Sequence, residues 1–278
     1  MKLFYRKYGE SGTPLIIVHG LYGSGDNWVT IARELSARFE VYVIDQRNHG
    51  QSPHSDAHNY PLLRDDLKMF MDAEGIDQAV LIGHSMGAKT IMYFAASWPD
   101  RVIALVSVDM APRAYHELAL ESRSTANHSG MIDAMLELEL SQLKSREEID
   151  RALSVKIGSG RVRRFLLKNV QRDQGGGYYW RINLQALRNN LSRIMDGLLN
   201  SENEGVGGLE AIPPGGITGF PALFVAGKKS DYIRTEDHQL INALFPGARI
   251  VTIPGAGHWV HAEQPRLLLE TLNDFLDK

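Results

Sequence analysis

The stretch Ala79-Val80-Leu81-Ile82-Gly83-His84-Ser85-Met86-Gly87 constrains this chain more than any other. Its apolar start reads as a buried strand, and Ala88 to Ala96 behind it reads as a helix. A strand that passes into a helix across Gly-x-Ser-x-Gly must turn so tightly that the central residue takes a strained backbone conformation. Gly83 and Gly87 carry no Cβ to collide where strand and helix cross. The turn lifts the Ser85 hydroxyl above the sheet edge and sets the unpaired N–H groups of a helix start beside it. Three small residues at these spacings recur by chance in roughly one chain in ten of this size, so the motif gains meaning only from its surroundings.

The surroundings alternate. Residues 2–8 have strand periodicity, and Leu15-Ile16-Ile17-Val18-His19 and Val41-Tyr42-Val43-Ile44-Asp45 are continuous apolar runs of the kind buried on both faces of a parallel sheet. Helices are predicted over Asp26–Arg38, with Asp26 or Asn27 as cap, and over Tyr60–Glu74, where Leu62, Leu63, Leu67, Phe70 and Met71 share a face. After the Ser85 segment comes the strand 102–109. Strand and helix thus alternate in the pattern of a doubly wound, mostly parallel α/β sheet. The pattern stops after Pro112 and resumes with Pro221–Ala226, a helix near 236–245, a strand over 248–253 and a last helix over 264–276. The expected organisation is a core of residues 1–112 and 220–278 with a helical cap, 113–219, inserted between two sheet strands. The Gly-rich stretch 203–208 and the segment 213–216 read as the flexible return to the core, and Gly175 to Gly177 as a tight turn or a mobile loop. The basic run Arg161, Arg163, Arg164 and Lys168 reads as a solvated face balanced by Glu137, Glu139, Glu147 and Glu148.

Composition closes off other classes. A net charge of −3 supplies no field for nucleic acid or an anionic membrane. The absence of cysteine removes disulfides, thiolate catalysis and Cys-bound metal. Met1 to Tyr8 carry charges where a signal peptide needs an apolar stretch, and no run approaches the ~18 apolar residues of a membrane span. A soluble cytoplasmic protein is expected, with a small-molecule substrate and no metal or cofactor.

A serine nucleophile needs a base, a group that orients the base, and donors for an oxyanion. In this fold the base comes last in the chain. His258, in Gly255-Ala256-Gly257-His258-Trp259 just past the final strand, is the candidate, whereas His261 braces the loop or lines the rim. One oxyanion donor is the Met86 amide. The other comes from His19-Gly20-Leu21-Tyr22-Gly23-Ser24, with the Leu21 amide first and Tyr22 second. The acid has two candidates. Where it commonly stands, three residues past Gly227, this chain has Ser230, with Asp231 one residue late; Asp109, at the tip of the strand after the Ser85 helix, is preferred and Asp231 is second. Tyr22, His84, Tyr178, Trp180 and Trp259 are candidate pocket residues, and Met131, Met135, Leu136 and Leu140 suit either an acyl chain or plain helix packing. Arg47, Asn48 and His49 read as a hydrogen-bonded supporting loop.

With these residues in place the chain resembles the α/β-hydrolase superfamily, and within it the YbfF-type esterases and their mitochondrial relatives. The resemblance rests on His19–Ser24, Asp45-Gln46-Arg47-Asn48-His49-Gly50, Gly83–Gly87, Val108-Asp109-Met110-Ala111-Pro112, Trp180–Leu184 and Gly257–Glu263. It implies cofactor-free serine hydrolysis of carboxylic esters or thioesters. It also favours Asp109, because members of this branch carry Ser where the usual acid stands. Ala88 departs from the relatives' third Gly and leaves the turn intact. A carbon–carbon bond hydrolase or a perhydrolase would use the same residues, and a non-catalytic ligand receptor would keep only the pocket.

Overall fold

The computed structural model describes residues 1–116, 127–198, 212 and 215–277. The first half alternates as its apolar runs require: β1 (Tyr5–Tyr8), β2 (Thr13–Val18), α1 (Val29–Leu35), β3 (Phe39–Ile44), α2 (Tyr60–Ala73), β4 (Ala79–His84), α3 (Met86–Ser97) and β5 (Val102–Val108). The helix expected over 26–38 is shorter. A 3-10 turn, Gly25–Trp28, precedes α1, and the Asn27 carboxamide accepts from the Ser24 amide at the turn's start. In α2, Asn59 accepts from the Leu62 amide and Pro61 occupies the first turn, where its missing N–H leaves nothing unpaired.

The next described segment holds α4 (His128–Leu136), α5 (Arg146–Ser154), α6 (Gly160–Leu166), β6 (Val170–Arg172), β7 (Tyr178–Trp180), α7 (Leu184–Asn189) and α8 (Leu191–Met195). Where sequence alone predicts only helices, β6 and β7 form an antiparallel hairpin. Gly175 to Gly177 are its turn, with the Asp173 amide donating to Gly177 O at 2.9 Å. The stretches 203–208 and 213–214 lie outside the described residues. The chain closes with β8 (Ala222–Gly227), α9 (Asp237–Leu244), β9 (Arg249–Ile253), α10 (Val260–Glu263) and α11 (Pro265–Leu276).

The sheet has seven strands in the order β1-β3-β2-β4-β5-β8-β9, parallel except for β1 against β3. Each buried strand alternates between two cores. Ile16, Val18 and Leu81 pack with Leu67 and Phe70 of α2 and Ile91 of α3. Leu15, Ile17 and Ile82 pack with Ile31 and Leu35 of α1 and Leu268 and Leu272 of α11. Removing both faces from water at ~25 cal/mol per Å² is what makes the parallel centre stable. Because β5 pairs directly with β8, none of the described residues between them joins this sheet. Two segments of that insertion touch near the end of β5: the Tyr115 amide donates to Met195 O at 2.7 Å and the Leu198 amide to Pro112 O at 2.8 Å. Helix α3 holds them from below, with the Tyr93 hydroxyl bonded to Gly197 O at 3.0 Å and the buried Lys89 ammonium to Asp196 O.

Candidate active site

Ser85 links β4 to α3 with φ 52° and ψ −121°, a left-handed conformation that an L-residue holds only under constraint. The constraint comes from the two glycines. A Cβ on Gly83 would lie 2.5 Å from Gly87 O, and one on Gly87 would lie 2.3 Å from Val18 O and 2.5 Å from His19 O. Strand and helix therefore cross at backbone contact distance, and Ser85 takes up the bend. Its hydroxyl lies 3.0 Å from His258 Nε2, and His258 Nδ1 lies 2.8 Å from Asp109 Oδ2. With the ring proton on Nδ1, His258 donates to Asp109 and accepts from Ser85.

Three strand ends meet to make this line. Asp109 follows β5 at φ 53°, with its amide on Val225 O at 2.7 Å. Its side chain is fully buried and accepts from the Gly227 amide at 2.9 Å and from the Ser230 hydroxyl. Burial pushes the Asp109 carboxyl up to about 7, against the pull of those two donors. The same cause pushes the His258 imidazole down to about 3, so it rests neutral, able to take a proton. The Tyr232 ring stacks on the imidazole, with centroids 3.8 Å apart. The His84 imidazole donates through Nε2 to the backbone oxygen of His258 at 2.8 Å and fixes the loop. His261 is buried behind it, stacked on Trp28 at 4.5 Å.

Asp231 takes no part in this line. It is exposed, and its backbone oxygen accepts from Arg113 at 3.1 Å. Ser230 turns toward Asp109 and Tyr232 toward His258, so the residue between them points outward. The Met86 and Leu21 amides have no hydrogen-bond partner among the described residues. The Tyr22 amide does, at 3.3 Å from His49 Nε2. His49 stands in the loop after β3. There Arg47 forms a two-pronged ion pair with Asp66 of α2 at 2.6 and 2.9 Å, and Asn48 accepts from Asn183 at 3.1 Å.

Two cavities lined by described residues meet at Ser85 and share Leu21, His128 and Tyr232. The inner extends past Met86 to Tyr60, Tyr115, Ile194 and Met195. The outer extends past His258 to Tyr22, His84, Met131, Phe165 and Trp259. Tyr178 and Trp180, expected in the pocket, line neither. They belong to the hairpin, where the Trp180 indole donates to Met135 O at 3.1 Å and Tyr178 lies under the Arg172 guanidinium. Of the apolar residues of α4 and its exit, Met131 reaches the outer cavity, while Leu136 is 39% exposed. The basic run finds partners other than the expected glutamates: Arg163 pairs with Asp150 and Arg161 with Glu263, which in turn accepts from the Gly257 amide. His128 and Tyr232 escape sequence reasoning, since each owes its place to tertiary packing. His128 Nε2 lies 3.1 Å from the Tyr232 hydroxyl, and its Nδ1 is without a partner among the described residues.

A strained serine between a buried strand and helix, carrying a histidine–carboxylate line at the ends of a parallel sheet, defines a class, and the family model of the alpha/beta hydrolase fold matches residues 13–265. The chain belongs to the α/β-hydrolase fold family. It is 34% identical to esterase YbfF of Escherichia coli over 96% of this chain and 94% of that protein. It is likewise 34% identical to the sn-1-specific diacylglycerol lipase ABHD11 of Mus musculus, over 96% of this chain and 82% of that one. Among solved structures, a marine microorganism esterase is 44% identical and superposes with a TM-score of 0.90 over 99% of both chains. Among the described residues no helix is long and apolar enough to cross a membrane.

Proposed function

We propose that this chain is a serine esterase that cleaves carboxylic esters, and thioesters of similar shape, through an acyl-enzyme on Ser85. His258 takes the Ser85 proton through Nε2 as Oγ bonds to the acyl carbon. Asp109 holds the ring in the tautomer that allows this and stabilises the imidazolium. The Leu21 and Met86 amides receive the oxyanion; both are fixed before the charge develops, so no reorganisation opposes the step. As the intermediate collapses, the bond to the leaving oxygen or sulfur breaks and that atom takes the proton from His258. Water then repeats the sequence, its proton going to His258 and returning to Ser85 Oγ as the acid departs. Residues 113–219 act as a cap that supplies pocket wall, with His128 and Met131 set over the serine.

One observation carries the reading: the unbroken hydrogen-bond line from Asp109 through His258 to Ser85, on a serine held at positive φ. The relatives' names as esterases and lipases support it. The test is hydrolysis of p-nitrophenyl acetate beside labelling by a fluorophosphonate. Wild type should turn over and label, and Ser85→Ala should lose about 10⁴-fold or more in kcat and all labelling. A wild-type protein that neither labels nor hydrolyses would sink the reading.

A further inference from the structure

Two hydrogen-bond chains run from the insertion between β5 and β8 toward the Leu21 and Met86 amides. The first ends at Leu21. The Gly20–Leu21 peptide passes close beside the nucleophile, since a Cβ on Gly20 would lie 2.9 Å from Ser85 Cβ. The carbonyl of that peptide points opposite to the Leu21 N–H. It accepts from His19 Nδ1 at 2.8 Å and from the Gly23 amide at 2.9 Å. The Gln46 amide donates into His19 Nε2 at 3.0 Å, which places the His19 proton on Nδ1. The following peptide is held at its N–H, which donates from Tyr22 to His49 Nε2 at 3.3 Å, while His49 Nδ1 donates to Arg47 O at 3.0 Å. The peptide after that is held by the insertion. Asn169 Nδ2 donates to Tyr22 O at 2.8 Å and to Leu166 O at 3.2 Å. Both neighbours are carbonyl oxygens, so the nitrogen of the Asn169 carboxamide must face them.

The second chain ends at Met86. The Asn183 amide donates to Asn48 O at 2.9 Å, and Asn183 Nδ2 donates to Asn48 Oδ1 at 3.1 Å. The Ser55 amide donates to the same Oδ1 at 2.7 Å, which leaves Asn48 Nδ2 to donate to His58 Nδ1 at 3.3 Å. Burial pushes the His58 imidazole well down, so it carries one proton. With Nδ1 accepting, that proton is on Nε2, which donates to Met86 Sδ at 3.3 Å. Both chains enter the core at strained residues, for Tyr22 holds φ 60° and Asn48 φ 66°. Such a backbone persists only where its surroundings over-determine it, and the insertion supplies one of the constraints at each.

We infer that Asn169 and Asn183 are positioning residues for the oxyanion hole, so that the seating of the insertion aims the Leu21 and Met86 amides; this rests on the serine-esterase reading proposed above. The insertion then acts on the rate of the chemical step as well as on which substrates fit. A donor turned away from the oxygen costs most where charge has developed there, and little in the ground state.

The test compares wild type, Asn169→Ala, Asn183→Ala, Asn183→Asp and Arg188→Ala in hydrolysis of p-nitrophenyl acetate and in inhibition by trifluoroacetophenone. Ser85 Oγ adds to the carbonyl carbon of that ketone, its proton passes to His258, and the carbonyl oxygen becomes an anion in the hole. The alcohol made by reducing the ketone cannot take this step and reports ground-state binding. Each asparagine variant should lower kcat about tenfold, less than the loss of a whole donor, with KM within about twofold. Ki for the ketone should rise by the same factor, and Ki for the alcohol should stay within about twofold. Asn183→Asp still accepts from the Ala186 amide at the start of α7 but cannot donate to Asn48. It should match Asn183→Ala, and it keeps the test decisive if the alanine variant folds poorly. Arg188→Ala breaks a surface ion pair with Asp133 inside the insertion and should behave as wild type. Losses confined to KM, an unmoved Ki for the ketone, or full kcat in Asn183→Asp would overturn the inference while leaving the esterase intact. A wild type that turns over no ester and does not bind the ketone would instead remove the esterase reading, and the inference with it.

Discussion

Asp109 is an acid held in an awkward state. Burial favours its neutral form, while the Gly227 amide and the Ser230 hydroxyl favour the carboxylate. The proposed chemistry needs Asp109 ionised and His258 neutral. Since Asp109 is raised to about 7 and His258 lowered to about 3, the first proton to enter the pair as pH falls disables it. Activity should therefore decline as pH drops through about 7, and be lost on the acid side. Ser230→Ala removes a donor to the carboxylate, raises Asp109 further and should move that limb to higher pH. Asp109→Asn should lower kcat by about 10³-fold or more, with the limb gone from the residual rate. A pH–kcat/KM profile of the three proteins checks this, and an unmoved limb in Ser230→Ala would count against the pairing. Much of this was legible residue by residue, because Gly-x-Ser-x-Gly and the late Gly-rich loop each announce a backbone need. The acid was not settled by spacing alone. The one-residue offset at 230–232 decides which side chain faces inward, and only the packing of Tyr232 on His258 makes that visible.

Between elements, one buried pair ties the loop after β3 to α2. Arg47 and Asp66 are both nearly inaccessible, and their two hydrogen bonds pin the loop carrying Asn48 and His49 to α2. Asp66→Asn would leave a buried guanidinium without its counter-charge, which typically costs about 3 kcal/mol. The urea midpoint should fall accordingly, and a change under about 0.5 kcal/mol would show that the loop holds itself. The long helices and buried strands were legible because each repeats its apolar period several times. Tyr60–Ala73 differs from its expected span by one residue. The 3-10 turn before α1 and the β6–β7 hairpin were not. Three-residue strands contain too few residues to display a period, and Tyr178 and Trp180 earn their pairing from Val170 and Arg172 across the turn.

Across the whole molecule, two segments of the insertion cross just beyond β5. A Cβ on Gly197 would lie 2.7 Å from the Ala114 amide nitrogen and 3.0 Å from Pro112 O, so the two crossing segments touch. Gly197→Val should force them apart and destabilise the protein by about 2 kcal/mol. A thermal melt checks this, and an unchanged Tm would show that the crossing yields without cost. The alternation of strands and helices pointed to the sheet from the sequence, but nothing local marks which insertion side chains hang over Ser85. His128 arrives there from a helix start that the Tyr22 hydroxyl holds by its backbone oxygen, a contact no local pattern marks. The sheet has one further property. Among the described residues, the non-glycine residues with positive φ are Tyr22, Asn48, Ser85 and Asp109, and they follow β2, β3, β4 and β5, strands that lie side by side. Each such backbone holds about 1–3 kcal/mol of strain, so one rim of the sheet is a row of loaded springs kept shut by what packs over them. Gentle warming should release that rim before the layers beneath it melt, and an activity half-life shorter than the ellipticity half-life would record the release. Function in such a molecule ages faster than form.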